Sequence, residues 1–176
     1  MNANNGSLDE YRPNVGAALF NEQGYVLIAR RADMAATVDH PWQLPQGGID
    51  ENESPRDAVL RELREEIGTD AAEIIGEIPE WLAYDFPPEI ARRFDNRHRG
   101  QRQRWFALRF TGTDNMIRLN DHEFPEFDCW RWAGLAEIPE LVVPFKRAVY
   151  ARVARDFAVF SKPNHIATSG ESSWEK

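Results

Sequence analysis

Cysteine is nearly absent: Cys129 stands alone among 176 residues. A lone thiol cannot close an internal disulfide, which excludes a small disulfide-stapled secreted scaffold. No apolar run approaches the roughly 20 residues of a membrane-spanning helix. The opening Met1-Asn2-Ala3-Asn4-Asn5-Gly6 has neither the basic nor the apolar region of a signal peptide. These absences lead us to expect a cytoplasmic protein without membrane attachment. Positive charge is also in deficit. Lys and Arg number 21 against 29 Asp and Glu, a net charge of −8, and DNA is not expected as a partner. The hydrophobic share of 42% and charged share of 28% are those of an ordinary globular domain.

The deficit of positive charge is uneven. From Arg92 to Arg104 the chain carries six arginines and His98 against one acid, Asp95. Such a stretch is either a solvated loop or a place where a polyanion is captured. We expect one domain over residues 11–160, a flexible segment over 1–10 and a disordered polar tail over 161–176.

Two apolar runs, Gly16 to Phe20 and Tyr25 to Ala29, flank Asn21-Glu22-Gln23-Gly24 and read as a hairpin. Residues 32–41 read as a loop. Trp42-Gln43-Leu44 reads as a short strand, and Gly47-Gly48 as the opening of a turn. Ser54-Pro55-Arg56-Asp57 carries a cap residue, a proline at the first helical position and an acid three residues after the cap. The helix it starts runs to Ile67 and stops at Gly68. Trp105 to Phe110 and Cys129 to Trp132 alternate with a period of two. Phe145, Val149, Val153, Phe157 and Phe160 have helical spacing. The expected fold class is α/β, a mixed sheet between helices.

Glu62, Glu65 and Glu66 stand at i, i+3 and i+4 and therefore share one helix face, taken to be solvent-side, while Val59, Leu60, Leu63 and Ile67 occupy a neighbouring arc. Like charges so spaced disfavour an isolated helix and call for a counterion. A hard divalent cation such as Mg²⁺ or Mn²⁺ answers that need. Arg61, Arg64 or plain solvation answer it as well, and spacing alone does not choose among them.

The surroundings of the helix do choose. Gly47, five residues, Glu53, seven residues and then Arg61-Glu62-Leu63-Arg64-Glu65-Glu66-Ile67-Gly68-Thr69 resembles the full signature of the Nudix hydrolases. It departs only at Thr69, where an aliphatic residue is usual. The resemblance implies a Nudix α/β/α sandwich and an enzyme that hydrolyses phosphoric anhydrides with Mg²⁺, or with Mn²⁺ in its place. It implies Glu62, Glu65, Glu66 and a distant Glu126 as metal ligands, with Glu65, Glu66 and Glu126 as the catalytic carboxylates. Glu53, Arg61 and Gly68 are then structural members of the motif.

Further blocks extend the likeness across the domain. They include Tyr11-Arg12-Pro13-Asn14-Val15-Gly16, Trp42 to Gly48, Trp81-Leu82-Ala83-Tyr84, Gly100 to Phe106, Pro125-Glu126-Phe127-Asp128 and Phe145-Lys146-Arg147. Together they resemble the Nudix branch of bacterial RNA pyrophosphohydrolases and plant-type dinucleoside tetraphosphate hydrolases. That branch implies either an RNA 5′ end or a dinucleoside polyphosphate as substrate. It implies Arg12, Arg31, Gly47, Tyr84, Phe145 and Lys146 as substrate-binding residues. Two alternatives remain. One is a catalytically silent nucleotide-binding module, against which the complete carboxylate set speaks. The other is another Nudix specificity such as sugar-nucleotide or mutagenic-nucleotide cleavage, against which the blocks outside the signature speak.

Overall fold

The computed structural model describes residues 10–33, 39–93, 97–120 and 123–163. Residues 1–9 of the N-terminal segment and most of the polar tail expected from sequence lie outside these residues, as does the middle of the 32–41 loop. Strand β1 (Tyr11–Phe20) leads through the turn at Gly24 into β2 (Val26–Arg31). Short strands β3 (Trp42–Gln43) and β4 (Gln46–Gly48) precede α1 (Pro55–Ile67). The long strands β5 (Ala72–Asp85) and β6 (Gly100–Phe110) enclose α2 (Pro88–Arg93). Strand β7 (Phe127–Ala133), α3 (Ile138–Leu141) and α4 (Arg147–Asp156) complete the order.

The sheet is mixed. Its main path is β3-β2-β1-β6-β5, with β4 added to β1 and β7 to β2. Only β1 and β6 run parallel, from Tyr11↔Gly100 to Phe20↔Arg109. Strands β1 and β2 pair at Phe20↔Val26 and then part. Beyond that point β1 takes β4 as its neighbour at Asn14↔Gly48, Val15↔Gly47 and Gly16↔Gln46. Gly47 and Gly48 therefore lie in a strand, a correction to the turn expected from their sequence. Backbone groups on the opened edge of β1 must be satisfied, and β4 satisfies them.

Alternation along the strands fills a core on each face of the sheet. Val15, Ala17, Leu19, Phe106, Leu108 and Phe110 face α1 and meet its Ala58, Val59, Leu63 and Ile67. Ala18, Phe20, Val26, Ile28, Trp105 and Ala107 face the other way and meet Val149, Tyr150, Val153 and Phe157. This is the α/β/α sandwich. Helix α1 is held to its place by local chemistry as well. Ser54 Oγ accepts from Asp57 N at 3.1 Å, and Gly68 adopts φ 74°, a left-handed conformation that suits glycine.

The arginine-rich stretch does not form one patch. Arg99 is bound to Asp85 at 2.8 Å, and Arg102 and Arg104 stack on Trp81 with guanidinium carbons 4.9 and 5.8 Å from its ring. Arg93, on α2, reaches the cavity described next. Helix and strand geometry send these side chains in different directions although they are close in sequence.

Candidate active site

Arg61 stands at the centre of the carboxylate cluster. Its Nε and Nη2 donate to the two oxygens of Glu53, each at 2.8 Å, and Nη2 also donates to the Gly48 carbonyl at 2.8 Å. Its Nη1 donates to Glu62 at 2.9 Å and Glu65 at 3.1 Å. One guanidinium thus ties the helix to the loop after β4. Arg64 points elsewhere and pairs with Asp70.

The pairing moves Glu53 strongly. Arg61 above all, with the backbone N–H of Asp50, lowers its pKa from 4.5 to about 2. A carboxylate whose folded pKa is depressed adds stability that is present above its unfolded pKa and is lost as pH falls through the folded value. We therefore expect a Glu53→Gln variant to be less stable than the parent at pH 7. The gap between their melting temperatures should close as pH falls from about 4.5 to about 2. Parallel melting curves across that range would show that the pair contributes nothing.

Glu66 corrects the sequence-based expectation of a solvent-side face. It is 6% exposed, and its Oε2 accepts from the Gln46 backbone N–H at 2.9 Å. The reason is angular. At roughly 100° per residue, position 66 falls within about 20° of position 59, one heptad earlier, so Glu66 lies in line with the core residue Val59. Its other oxygen, Oε1, is buried with no donor, and Glu126 acts on the same carboxyl. Burial first, then Glu126 and Glu62, push the Glu66 pKa well up. Burial likewise raises that of Glu62, and Arg61 only partly offsets it. Glu65 is half exposed and joins the cluster through Arg61.

The structure thus brings Glu62, Glu66 and Glu126 into electrostatic contact across α1 and the start of β7. Gly47 permits this closeness, because a Cβ there would lie 1.9 Å from Glu62 Cδ. Among the described residues no three Asp, Glu, His or Cys side chains already form a closed cage for a cation. Arg61 Nη1 is shared by Glu62 and Glu65 in this arrangement. The residues nevertheless fit a hard divalent ion. All donors are carboxylate oxygens, and the buried Glu66 carboxyl, with Oε1 unpartnered and Glu126 and Glu62 acting on it, needs a proton or a cation to relieve the repulsion.

Beside the carboxylates lies a cavity of about 210 Å³, walled by Arg31, Gln43, Gln46, Gln101, Phe145 and Lys146, with Arg93 and Asp33 at its border. Lys146 ends a 3₁₀ turn (Pro144–Lys146) directly before α4. It is buried, and its Nζ donates to Gln43 Oε1 at 3.1 Å. Burial above all, and then Arg31, lower its pKa to about 8. Arg31 donates to Glu126. Arg12 lies over Gly48, with Nη2 2.6 Å from where a Cβ would stand.

Tyr84 is buried behind this wall, its hydroxyl donating to Gln101 at 2.5 Å and its ring 5.6 Å from that of Phe145. Reading the sequence alone left several neighbours unremarked. Gln43 and Gln46 sit inside a block that was singled out, but nothing in their type marked them. Asp33 lies in what reads as plain loop. Tyr150, which donates to Gln46 Oε1 at 3.1 Å and accepts from Leu44 N at 3.2 Å, falls in the spacing of an ordinary core helix.

A mixed sheet between helices, with a glutamate-rich helix set against a strand glycine and a cationic cavity alongside, defines a class of anhydride hydrolases. The NUDIX domain model matches residues 10–153, and the chain belongs to that family. Within it, the chain is 66% identical over 152 residues to a protein of Acidiphilium cryptum (strain JF-5) named RNA pyrophosphohydrolase, covering 86% of this chain and 93% of the relative. It is 57% identical over 158 residues to a Gluconacetobacter diazotrophicus protein of the same name, covering 87% and 95%. Among solved structures, the E. coli dihydroneopterin triphosphate pyrophosphohydrolase superposes with a TM-score of 0.64 at 18% identity, over 83% of this chain and 98% of that one. At that identity the likeness speaks for the fold.

Proposed function

We propose that this protein removes pyrophosphate from the triphosphorylated 5′ end of RNA, using a divalent cation, Mg²⁺ or Mn²⁺, held by Glu62, Glu65, Glu66 and Glu126. The observation that carries the reading is the convergence of Glu62, Glu66 and Glu126 beside a cavity that also presents Arg31 and Lys146. The names of the relatives support RNA as the substrate.

When bound, the cation would neutralise phosphate charge and make water easier to deprotonate. The chain's own groups do the rest. Glu66 is fixed by the Gln46 N–H and, with Glu65 and Glu126, supplies carboxylates able to take a proton. Lys146 and Arg31 hold the phosphates at the cavity wall, and Arg12 adds a cation at Gly48. Phe145 offers an aromatic face to the first nucleotide. Arg61, locked to Glu53, keeps the loop after β4 against the helix. We assign the catalytic domain to residues 11–160. Among the described residues no helix is long and apolar enough to cross a membrane, and we place the reaction in the cytoplasm, where an RNA substrate would be met.

The test is turnover of triphosphorylated RNA and diadenosine tetraphosphate side by side with Mg²⁺. We expect RNA to be the better substrate by kcat/KM, with pyrophosphate as the released product. Preference for the dinucleotide would move the assignment to the plant-type branch, and activity on neither would overturn it.

A further inference from the structure

We propose that Asp33 is a positioning residue, which holds the Arg31 guanidinium in the cavity wall and limits its grip on Glu126. The inference rests on the reading of Glu126 as a cation ligand and Arg31 as a phosphate contact. Its starting point is an anomaly of charge. The cavity presents Arg31, Arg93 and Lys146, as a polyanion would require, yet Asp33 stands at the same border.

The geometry accounts for it. Arg31 Nε and Nη2 donate to Asp33 Oδ1 and Oδ2, each at 2.9 Å, a two-pronged contact that fixes the guanidinium plane. Only Nη1 remains for Glu126. The backbone beneath is fixed on both sides. Arg31 N donates to the Pro41 carbonyl at 2.8 Å, and Ala32 N donates to the Glu126 carbonyl at 2.9 Å. With the main chain held, the orientation of the guanidinium is decided by which carboxylate takes its Nε edge. Asp33 is two residues away, half exposed, and outside the carboxylate cluster. Glu126 is the only other carboxylate that the described residues show bonded to Arg31.

The consequence is competition. A guanidinium freed from Asp33 can turn its fork onto Glu126 and bind it through two N–H groups instead of one. Glu126 would then be withdrawn from a cation, and Arg31 from the substrate phosphates. Both losses come from one rotation, so they must appear together. A merely structural Asp33 would affect melting and leave both functions alone.

The experiment is Asp33→Asn in the full chain, with Asp33→Ser as a second variant that cannot form the fork and Asp33→Glu as the conservative rescue. Mn²⁺ binding is titrated without substrate, followed by the paramagnetic signal of the free ion, and steady-state kinetics are measured on triphosphorylated RNA. We expect Mn²⁺ to bind at least about threefold more weakly in Asn and Ser variants, and KM to rise at least about threefold. In both, kcat at saturating Mn²⁺ should stay within about twofold, and Asp33→Glu should recover most of each loss. Wild-type behaviour of the Asn and Ser variants in either measurement, or tighter Mn²⁺ binding, overturns the proposal. Absence of RNA turnover by the wild type would instead defeat the functional reading, and the Mn²⁺ titration would still decide the role of Asp33.

Discussion

A Glu66→Gln variant is expected to lose at least about a hundredfold in turnover, about 2.7 kcal/mol of transition-state stabilisation, while folding as well as the parent or better. The two effects have one cause. Glu66 is buried against Glu126 and Glu62, and its pKa is pushed well above 4.5. A carboxyl group whose folded pKa is raised binds its proton more readily in the folded state. Its stability contribution is therefore most favourable at low pH and declines as pH rises above the unfolded value near 4.5. Above that value the preference of the folded state for the protonated carboxyl works against the fold.

Glutamine keeps an oxygen to accept from Gln46 N and puts an N–H₂ in place of the unpartnered oxygen, near Glu126. It thereby removes an acceptor–acceptor conflict and also removes the charge that a cation would use. Melting curves in excess chelator should show the variant at or above the wild-type temperature at pH 7. Addition of Mg²⁺ should raise the wild type more than the variant, because a ligand that binds only the folded state stabilises it. Full turnover in the variant, or in wild type with chelator present, would defeat the carboxylate mechanism.

The second large effect is expected at Lys146. A Lys146→Met change should lower kcat/KM on triphosphorylated RNA by about tenfold to a hundredfold, the value of a charged hydrogen bond of roughly 1.5–3 kcal/mol. Methionine is chosen because the side chain is buried and a cavity would confuse the result. Lys146 stands at the start of α4, where a cation is opposed by the helix dipole. The structure places a stronger opponent around it, since burial and Arg31 hold its pKa at about 8 against 10.5.

For a base with a lowered pKa, stability is reduced while the group is charged in the fold, and it recovers as pH rises from about 8 towards 10.5. Lys146→Met should therefore not destabilise the protein at pH 7. The same titration predicts a fall in wild-type kcat/KM above pH 8, since that ratio reports the free enzyme. The fall should be absent in the variant. If efficiency stays within about twofold, the phosphate role of Lys146 is wrong.

How much of this was legible beforehand differs by element, and for physical reasons. Helix α1 was readable to the residue because its determinants are local. Ser54 caps, Pro55 starts, Gly68 stops, and a 3.6-residue period separates Leu63 and Ile67 from Glu62 and Glu65. The alternation in β6 and β7 and the spacing in α4 are local in the same sense. They sufficed, with the Gly47 to Thr69 pattern, for the sandwich and the family. Strand β4 was not readable, because Gly47 and Gly48 have turn-like composition. They become a strand only when β1 parts from β2 and leaves an edge to be paired. The two faces of α1 were readable, but the side on which Glu66 falls was not. A carboxylate on the boundary of an apolar arc is assigned by what packs there, here β4 through the Gln46 N–H. Glu126 and Lys146 lie 60 and 80 residues beyond Glu66 in the chain, and no sequence period connects them. What the sequence by itself determined is therefore the set of groups, the helix that carries most of them and the chemistry they suit. Only the tertiary structure decided which carboxylates share a low-dielectric space, which arginine neutralises which acid, and how far the Lys146 pKa is displaced. Those quantities depend on distance and burial, and both are set by contacts between segments remote in the chain.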